Sequence, residues 1–333
     1  MRLSVLDISP VASGSSPAEA LRNTLDLAQV ADALGYTRYW LAEHHNSPLI
    51  ASSVPEIMIG HVADVTHRIR VGSGGVMLPN HAPLHVAEAF RMLEALHPGR
   101  IDLGLGRAPG TDGKTALALR RTPDALHTDD FPEQLNALLG FLNTNFAENQ
   151  PFRRITASPS NVGTPDIYLL GSSDYSAQAA AVVGLGFAFA HHINPGPVLD
   201  ALRLYREQFR PSTYFSEPAA LVAVSAICAD TDAEADRLAR SADLTFLGFQ
   251  IGRFGPLPSV EEAMAYPYTP YEREIIASNR ARLFVGSPAT LHEKLTRFAA
   301  AAGVDELAIT TLTHDHAARQ RSYELLAEAF GIA

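Results

Sequence analysis

Three apolar runs in this sequence each end in residues suited to acid–base chemistry or to anion binding. The run WLA is followed within two residues by His44, the run IRVGSG by Gly75, and the run IDLGLG by Arg107. An imidazole titrates close to neutral pH, and a guanidinium presents a fork of donors that matches a phosphate. Polar residues beyond successive strands are typical of the active face of a parallel α/β barrel. The runs therefore predict one site assembled from several strand ends.

Two groups of histidines invite a metal-site interpretation, which their spacing does not favour. His44 and His45 are neighbours whose side chains point apart, whereas metal ligands from one element usually stand at i, i+2 or i, i+4. His314 and His316 have the first spacing, but Asp315 between them also suits a helix N-cap. We predict no metal site. For His44, a structural histidine in a loop and a catalytic histidine at a strand end both stay open.

The glycines near position 74 stand where a strand is expected to end. In Gly72-Ser73-Gly74-Gly75, glycine permits backbone conformations closed to other residues, or the close approach of a flat ligand. An ordinary bulge is the other interpretation, and the residues alone do not separate the two.

Arg107 lies in a glycine-rich run that looks at first like a dinucleotide fingerprint. The run from Gly104 to Gly110 has one residue too many before its last glycine and meets Pro109 rather than a helix, so a Rossmann site is excluded. Arg107 itself could form a salt bridge at the rim. Its place beyond a strand end favours a phosphate.

A second anion-binding element is predicted after the fifth strand. Gly171, Ser172 and Ser173 precede a helix, where exposed N–H groups, hydroxyls and the positive helix end together attract a phosphate. A plain serine N-cap needs no ligand and is the alternative. Together with Arg107 on a neighbouring strand, the turn predicts one phosphate-bearing cofactor across the barrel mouth.

Strand and helix patterns alternate along the whole chain. Eight predicted strands with helices between them favour an α/β fold of the (β/α)8 TIM-barrel type over an open doubly wound sheet, because strand count and chain length agree. The sixth strand is followed by His191 and His192, which are predicted to line the same mouth. The predicted strands are Leu3–Ile8, Tyr39–Ala42, Ile69–Ser73, Ile101–Gly106, Ile167–Leu170, Phe187–Ala190, Leu221–Ala229 and Glu306–Thr310. The predicted helices are Pro17–Leu34, Val54–Thr66, His85–Leu96, Pro132–Phe146, Ser176–Val183, Pro197–Phe209, Asp232–Leu247, Pro288–Ala302 and Ala317–Phe330.

Two segments interrupt this alternation. Residues 147–165 are rich in proline, serine and asparagine and are predicted to be a connecting loop. Residues 248–285 hold four prolines interleaved with three tyrosines, between the seventh strand and the eighth helix. An insertion of this length is more often a functional lid than a linker. We predict a single domain over residues 1–333 with a mobile lid at 248–285.

Composition excludes several classes of protein. Of 333 residues, 47% are hydrophobic and 19% charged, so a large core is available. The net charge of −10, without any long basic run, gives nucleic-acid binding little support. Cys228 is the only cysteine, which excludes a disulfide within the chain. No apolar segment approaches the ~20 residues that span a bilayer, and the N-terminus is typical of a strand rather than a signal peptide. We therefore predict a cytoplasmic protein.

The motifs together resemble those of the luciferase-like flavin monooxygenases, a family of (β/α)8 barrels that use reduced FMN or the deazaflavin F420. The resemblance is close through residues 36–112, in LAEHH, VGSGGVMLPNH, AEAFRMLEALHPGR and IDLGLGR. It continues in LLGSS, FAFAHH, VGSPATLHEKL and GVDELAI, and so covers most of the chain. It is greatest to the branch of alkanal monooxygenase-like oxidoreductases.

The resemblance implies a role for each residue that the motifs contain. His44 corresponds to the active-site histidine, which assists proton transfer. The glycine pair corresponds to a bulge with a non-prolyl cis peptide, against which the flavin ring rests, and the arginine and the serine turn correspond to the phosphate site. The predicted cofactor-binding residues are then Gly74, Gly75, Arg107, Gly171, Ser172, Ser173 and His191.

The implied function is that of a flavin-dependent monooxygenase acting on paired donors with molecular oxygen. It would take reduced FMN from a separate NAD(P)H-dependent flavin reductase and oxidise a small organic substrate such as an aldehyde, with 248–285 covering the pocket. The family is often dimeric, and the apolar helices Val54–Thr66 and His85–Leu96 are predicted to form a homodimer. No nucleic-acid or membrane partner is expected.

Three other functions stay open. One is hydride transfer with F420 on the same barrel, another is flavin binding without turnover, and the third is an unrelated phosphate-binding barrel isomerase or lyase. The bacterial luciferases carry a cysteine where this chain has Gly106, and a tryptophan near the position of His191. Light emission is therefore not expected.

Overall fold

Eight parallel strands close into a barrel, which confirms the predicted (β/α)8 fold. The structure is a computed structural model and describes residues 1–120, 130–148 and 150–333. The strands are β1 (Arg2–Asp7), β2 (Arg38–Leu41), β3 (Arg70–Ser73), β4 (Val76–Met77), β5 (Ile101–Gly106), β6 (Asp166–Gly171), β7 (Gly186–Ala190), β8 (Ala220–Cys228), β9 (Leu283–Gly286) and β10 (Glu306–Thr310). Around the barrel their order is β1-β2-β3-β5-β6-β7-β8-β10, and β10 pairs with β1 to complete the ring.

Helices cover the outside of the barrel. The helices that follow β8 in the chain, before β9, form an additional layer. The helices are α1 (Pro17–Ala33), α2 (Pro55–Val65), α3 (Pro83–Leu96), α4 (Gly113–Arg120), α5 (Phe131–Asn143), α6 (Asp174–Val183), α7 (Val198–Gln208), α8 (Asp232–Leu238), α9 (Arg240–Ile251), α10 (Val260–Ala265), α11 (Pro270–Arg280), α12 (Pro288–Ala302) and α13 (His316–Phe330), with a 3-10 turn at Leu78–Asn80. Among the described residues, no helix is both long and apolar enough to cross a membrane.

The period of two along each strand separates an inner core from an outer one. Because successive side chains of a strand point to opposite faces, Phe187 and Phe189 of β7 pack outward under the helices while Ala188 faces the barrel interior. The inner core consists of Leu6, Trp40, Tyr168, Ala188, Leu221, Ala223 and Ala308. Its members on β7 and β8 are small or aliphatic, so the interior is filled by a few large side chains from other strands.

Paired charges fill the amino-terminal end of the barrel. The buried Arg38 guanidinium donates to Asp102 over 2.7 Å and to Glu306 over 2.9 Å. Burial alone would lower the pKa of Arg38, but the two carboxylates raise it above its usual range. The indole Nε1 of Trp40 donates to Asp102 over 2.9 Å and ties this layer to the inner core. A ligand site is therefore expected at the opposite, carboxyl-terminal end.

The structure differs from the predicted elements mainly after the seventh barrel strand. The single helix predicted at Asp232–Leu247 is two helices, α8 and α9, and the second continues to Ile251. Strand β9 was not predicted, because its four residues are too short an apolar run to stand out beside prolines. Helix α4 was also missed. The predicted loop 147–165 contains no helix or strand in its described residues; position 149 lies outside them.

Strand β9 extends the sheet above the barrel. Ser225 of β8 pairs with Thr310 of β10 and also with Leu283 of β9, so these two strands lie on opposite edges of β8. Strand β7 pairs only with the first half of β8, up to Ala223. Beyond Ala223, β9 therefore takes the place of β7 along the same edge of β8. The start of β9 thus lies at the level of the barrel mouth.

The segment 248–285 is built from regular elements and is attached beside the barrel mouth. Capping boxes begin both α10 and α11, which fixes their starts. Between α9 and α10, the backbone of Leu257 pairs with the loop after β1: its N–H donates to Val11 over 2.8 Å, and its carbonyl accepts from Ser13 over 2.8 Å. This contact places the predicted lid next to the end of β1.

Candidate functional site

His44 stands beyond the end of β2, in the inward-facing register of Trp40. Its Nδ1 lies 3.3 Å from the carbonyl oxygen of Gly110, in the loop after β5. Because a carbonyl only accepts, Nδ1 carries the proton and the neutral ring keeps its lone pair on Nε2. Burial lowers the pKa of His44, and the opposing effects of Gly110 and Glu43 do not restore its ordinary value. The imidazole is therefore neutral at pH 7 and able to accept a proton at Nε2.

Glu43, the residue before His44, anchors the segments around the site. Its fully buried carboxylate accepts from His45 Nε2 at 2.8 Å, His81 Nε2 at 3.0 Å, the N–H of Met77 at 2.8 Å and Asn80 Nδ2 at 3.1 Å. Burial raises the pKa of Glu43, but these hydrogen bonds outweigh it and leave the pKa below its ordinary value. The pKa of His81 is raised because the carboxylate outweighs the effect of burial. An ion pair therefore connects β2 to the segment after β3.

The glycine pair brings backbone directly onto the inner core. The peptide between Gly74 and Gly75 is cis. A Cβ at Gly74 would stand 2.7 Å from Leu6 Cδ1 and 3.0 Å from Trp40 Cβ, and one at Gly75 would stand 2.7 Å from the carbonyl oxygen of Gly104. No side chain fits at either position. The packing on the inner core and on β5 therefore requires glycine at both positions.

Arg107 and the predicted serine turn lie together on β5 and β6. The Arg107 guanidinium stacks 4.1 Å from the centre of the Tyr175 ring, in the first turn of α6. That helix starts directly after Gly171, Ser172 and Ser173, and the hydroxyl of Ser173 makes no capping hydrogen bond. The side chain therefore does not serve as a plain N-cap. The Arg107 guanidinium therefore lies beside the first turn of α6, where the N–H groups of a helix are not used within the helix.

The two adjacent histidines after β7 face opposite sides of the barrel wall. His191 continues the outward register of Phe189 and is 6% exposed, with its ring 4.8 Å from Phe298 and 5.8 Å from Phe284. Burial lowers its pKa to about 4, and its Nδ1 has no hydrogen-bond partner. The geometry therefore places His191 in an aromatic pocket under α12, away from the other predicted cofactor-binding residues.

His192 is the histidine that continues the inward register of Ala188. Its Nδ1 lies 3.1 Å from the carbonyl oxygen of Ala223 on β8. Burial lowers the pKa of His192 to about 4, with a further decrease caused by nearby His44. The structure therefore favours His192 over His191 as the histidine of the mouth. The alternation of β7 was the signal in the sequence that distinguishes the two.

The motif His314-Asp315-His316 serves a structural purpose. Asp315 accepts from the N–H of Ala318 over 2.7 Å and caps α13, which confirms the capping interpretation. The flanking histidines bind separate partners, Ser13 and Asp26. Within the part of the chain that the structure describes, no group of three or more histidine, cysteine or acidic side chains is arranged to hold a metal ion.

These observations define a (β/α)8-barrel protein with a polar site at the carboxyl ends of its strands. A neutral histidine, a glycine backbone surface and an arginine beside a serine turn lie on β2, β3, β5 and β6. The chain matches the description "Luciferase-like monooxygenase" over residues 1–306 and belongs to that family, as the resemblance predicted. It is thus a member of an oxidoreductase class.

Similar proteins agree with this assignment. The chain is 34% identical to the N-acetyl-S-alkylcysteine monooxygenase of Bacillus subtilis (strain 168), over 99% of this chain and 98% of the relative. The crystal structure of apo-MsnO8 is 40% identical, with a TM-score of 0.90 over 100% of this chain and 98% of the other. The oxygenating constituent of a 3,6-diketocamphane monooxygenase from Pseudomonas putida, solved with FMN, shares the fold at 20% identity, with a TM-score of 0.73 over 99% and 97% of the chains.

Proposed function

We propose that this protein is a monooxygenase that binds reduced FMN at the mouth of its barrel and oxidises a small organic substrate with O2. The family supports a monooxygenase. The observation that carries the proposal is the stacking of Arg107 on Tyr175, beside the Gly171–Ser173 turn and one strand from the glycine pair. A phosphate site on β5 and β6 with a flat backbone surface on β3 matches a ligand that has one phosphate and one planar ring.

The residues at the mouth fit this cofactor. At Gly74 the backbone packs directly on Leu6 and Trp40, and the opposite face of this backbone would support a planar ring. Arg107 and the first N–H groups of α6 would hold the phosphate through charge-assisted hydrogen bonds. Reduced flavin, when bound, supplies the electrons that activate O2. His44 would accept a proton at Nε2 and return it, while its Nδ1 stays fixed on Gly110.

The proposal includes a separate protein and a cover for the site. In keeping with the family resemblance, we propose that a separate NAD(P)H-dependent flavin reductase supplies the reduced FMN. The segment 248–285, attached next to β1, would exclude water during the reaction. We propose small substrates with an oxidisable carbonyl or thioether group, the latter because a relative is named for N-acetyl-S-alkylcysteine.

Turnover with labelled oxygen tests the activity. The protein is mixed with a flavin reductase, NADH, FMN and a panel of aldehydes, ketones and thioethers under 18O2, and products are analysed by mass spectrometry. We expect one 18O atom in the product and oxygen consumption that depends on the substrate. Tight binding of reduced FMN without product across the panel would favour a flavin-binding role instead. Tight binding of F420 with no binding of FMN would favour hydride transfer.

The phosphate assignment is tested with Arg107→Ala. Trp40 is the only tryptophan and lies directly beneath Gly74, so its fluorescence should report on a flavin bound there. We expect the variant to bind FMN about ten- to a hundred-fold more weakly, since a charge-assisted phosphate contact is lost, and riboflavin with the affinity of the native protein. Equal FMN affinity in the variant and the native protein would remove Arg107 from the site.

A further inference from the structure

Arg282 lies at the rim of the barrel, between the end of β7 and the start of β9. Its Nη1 donates to the carbonyl oxygen of Ile193 over 3.3 Å, and its Nη2 donates to Asn279 Oδ1 over 3.0 Å. The guanidinium carbon stands 4.9 Å from the centre of the Phe246 ring. Its positive charge contributes to the lowered pKa of His192, the inward-facing histidine of the mouth. A half-buried cation is thus held beside the candidate site.

No carboxylate neutralises this cation among the described residues. Its partners are a backbone carbonyl, an amide oxygen and an aromatic ring. Arg280, two residues earlier, pairs instead with Asp243 and Asp236. Burial lowers the pKa of Arg282, and no anion raises it again. A guanidinium that is partly removed from water without a counter-ion is costly unless a ligand supplies the negative charge.

Two buried donors next to each other lack partners at this place. Nε of Arg282 is buried without a hydrogen bond. Asn279 is 6% exposed, and its Oδ1 accepts from both Arg282 and Gln250, which leaves the amide Nδ2 without an acceptor. Leaving such buried donors unsatisfied destabilises the folded protein. Their common requirement is an acceptor with several lone pairs, which a carboxylate provides.

The strand order places Arg282 across the barrel from Gly74, the proposed site of the flavin ring. The loop after β7 that Arg282 contacts reaches the proposed phosphate turn through Asn194, which donates to the carbonyl oxygen of Ser172 over 3.1 Å. In the closed ring, β3 and β8 are four strands apart in either direction, and β9 pairs with β8. The proposed ring site at Gly74 directly follows β3, and the proposed phosphate site lies at the ends of β5 and β6. A substrate that approaches the exposed face of the ring would therefore lie against the β7–β9 side, where Arg282 stands.

We propose that Arg282 and Asn279 bind the carboxylate of the organic substrate, and hence that the enzyme acts on small carboxylic acids. This inference rests on the proposed function, since it takes the flavin ring to lie at Gly74. Arg282 would give a charge-assisted, two-pronged contact, and Asn279 would add a donor from its buried amide. A site built to hydrogen-bond a polar group rejects analogues that lack the group, so uncharged esters would be poor ligands.

Equilibrium binding tests this inference without turnover. The probes are benzoate and N-acetyl-S-methylcysteine, each compared with its methyl ester, titrated calorimetrically into the protein with and without FMN. We expect the native protein to bind at least one acid about ten-fold more tightly than its ester, as a charged hydrogen bond requires. In Arg282→Gln this preference should vanish, and in Arg282→Lys part of it should return. Arg297→Gln, an exposed arginine on α12, is the matched control and should keep the full preference.

Several outcomes would overturn the inference. A native protein that binds acid and ester equally, or binds neither, has no carboxylate site of this kind. If Arg282→Gln keeps the acid preference and melts at the native temperature, another group recognises the acid. If it loses affinity for FMN but not for riboflavin, Arg282 serves the cofactor phosphate. Because none of these measurements needs catalysis, failure here is distinguishable from a lack of 18O incorporation, which would count against the proposed monooxygenase itself.

Discussion

At the scale of single residues, His44 is the side chain whose state decides the proposed chemistry. Burial lowers its pKa, and Gly110 fixes its proton on Nδ1, so Nε2 is free to accept a proton at neutral pH. We expect His44→Ala to reduce turnover by about 10²- to 10⁴-fold, the usual contribution of a general acid or base. FMN affinity, followed by Trp40 fluorescence, should stay at the native value.

The pH dependence of turnover follows from the same observation. The ring must be neutral to accept a proton, and its pKa lies below the ordinary 6.5. Activity should therefore be constant above pH 7 and fall on acidification through a value lower than 6.5. The measurement is kcat/KM against pH for the native protein. An activity that instead declines as pH rises through 6.5 would mean that the protonated ring is required.

The outward-facing histidine is predicted to affect stability rather than cofactor binding. The folded pKa of His191 is about 4 against an ordinary 6.5, so the unfolded chain takes up a proton first as pH falls. Stability is then complete above pH 6.5 and declines below it. A phenylalanine at position 191 suits the pocket of Phe284 and Phe298 and does not titrate. Between pH 7 and 4.5, the free energy of unfolding in urea should therefore decrease by about 2 kcal/mol less in His191→Phe than in the native protein. Its FMN affinity should be unchanged; weaker FMN binding would place His191 in the site after all.

At the scale of elements, Glu43 joins the end of β2 to the segment that follows β3. Removing its carboxylate in Glu43→Ala leaves His81 Nε2 and the backbone N–H of Met77 without their acceptor inside the protein. We expect a loss of about 3–5 kcal/mol in the free energy of unfolding, as for other broken buried pairs. Glu43→Gln keeps the side-chain volume and one acceptor oxygen, so its free energy of unfolding should decrease less than that of Glu43→Ala.

The pH range in which Glu43 matters is set by both partners. The lowered pKa of Glu43 means that its contribution is present above pH 4.5 and is lost as pH falls through the folded value. The raised pKa of His81 means that its contribution is present below 6.5 and is lost as pH rises through the folded value. The stability difference between native protein and Glu43→Gln, from urea unfolding at several pH values, should thus be largest between 4.5 and 6.5. A difference independent of pH would show that the ion pair contributes nothing.

Elements also differ in how far the sequence determines them. The predicted bounds of α12 and β10 agree with the structure, because Pro288 starts the helix and Gly303 ends it in the left-handed conformation. Strand β9 depends on pairing with β8, which no local pattern reveals. The opposite orientations of His191 and His192 could have been predicted from the alternation along β7. The buried cluster around Glu43 could not, because its segments meet only in the folded barrel.

At the scale of the whole molecule, α2 and α3 present an apolar surface that invites a second copy of the chain. Ile57 on α2 is 61% exposed, and Met92 and Leu96 on α3 are 56% and 69% exposed. The two helices pack against each other, so the exposed apolar side chains lie on neighbouring elements of the barrel exterior. An exposed apolar patch of this kind in a globular protein indicates an interface, and a twofold homodimer is the commonest arrangement.

We therefore predict a homodimer formed by α2 and α3, with about twice the 35.8 kDa mass of one chain in analytical ultracentrifugation. Leu96→Glu should shift the protein to monomers, because each protomer would then bury a carboxylate without a partner in the interface. Leu199→Glu, at a 50% exposed leucine on α7, is the matched control and should remain dimeric. A native chain that sediments as a monomer at every concentration would contradict the prediction. Dissociation in the control instead would move the interface to the α7 side of the barrel.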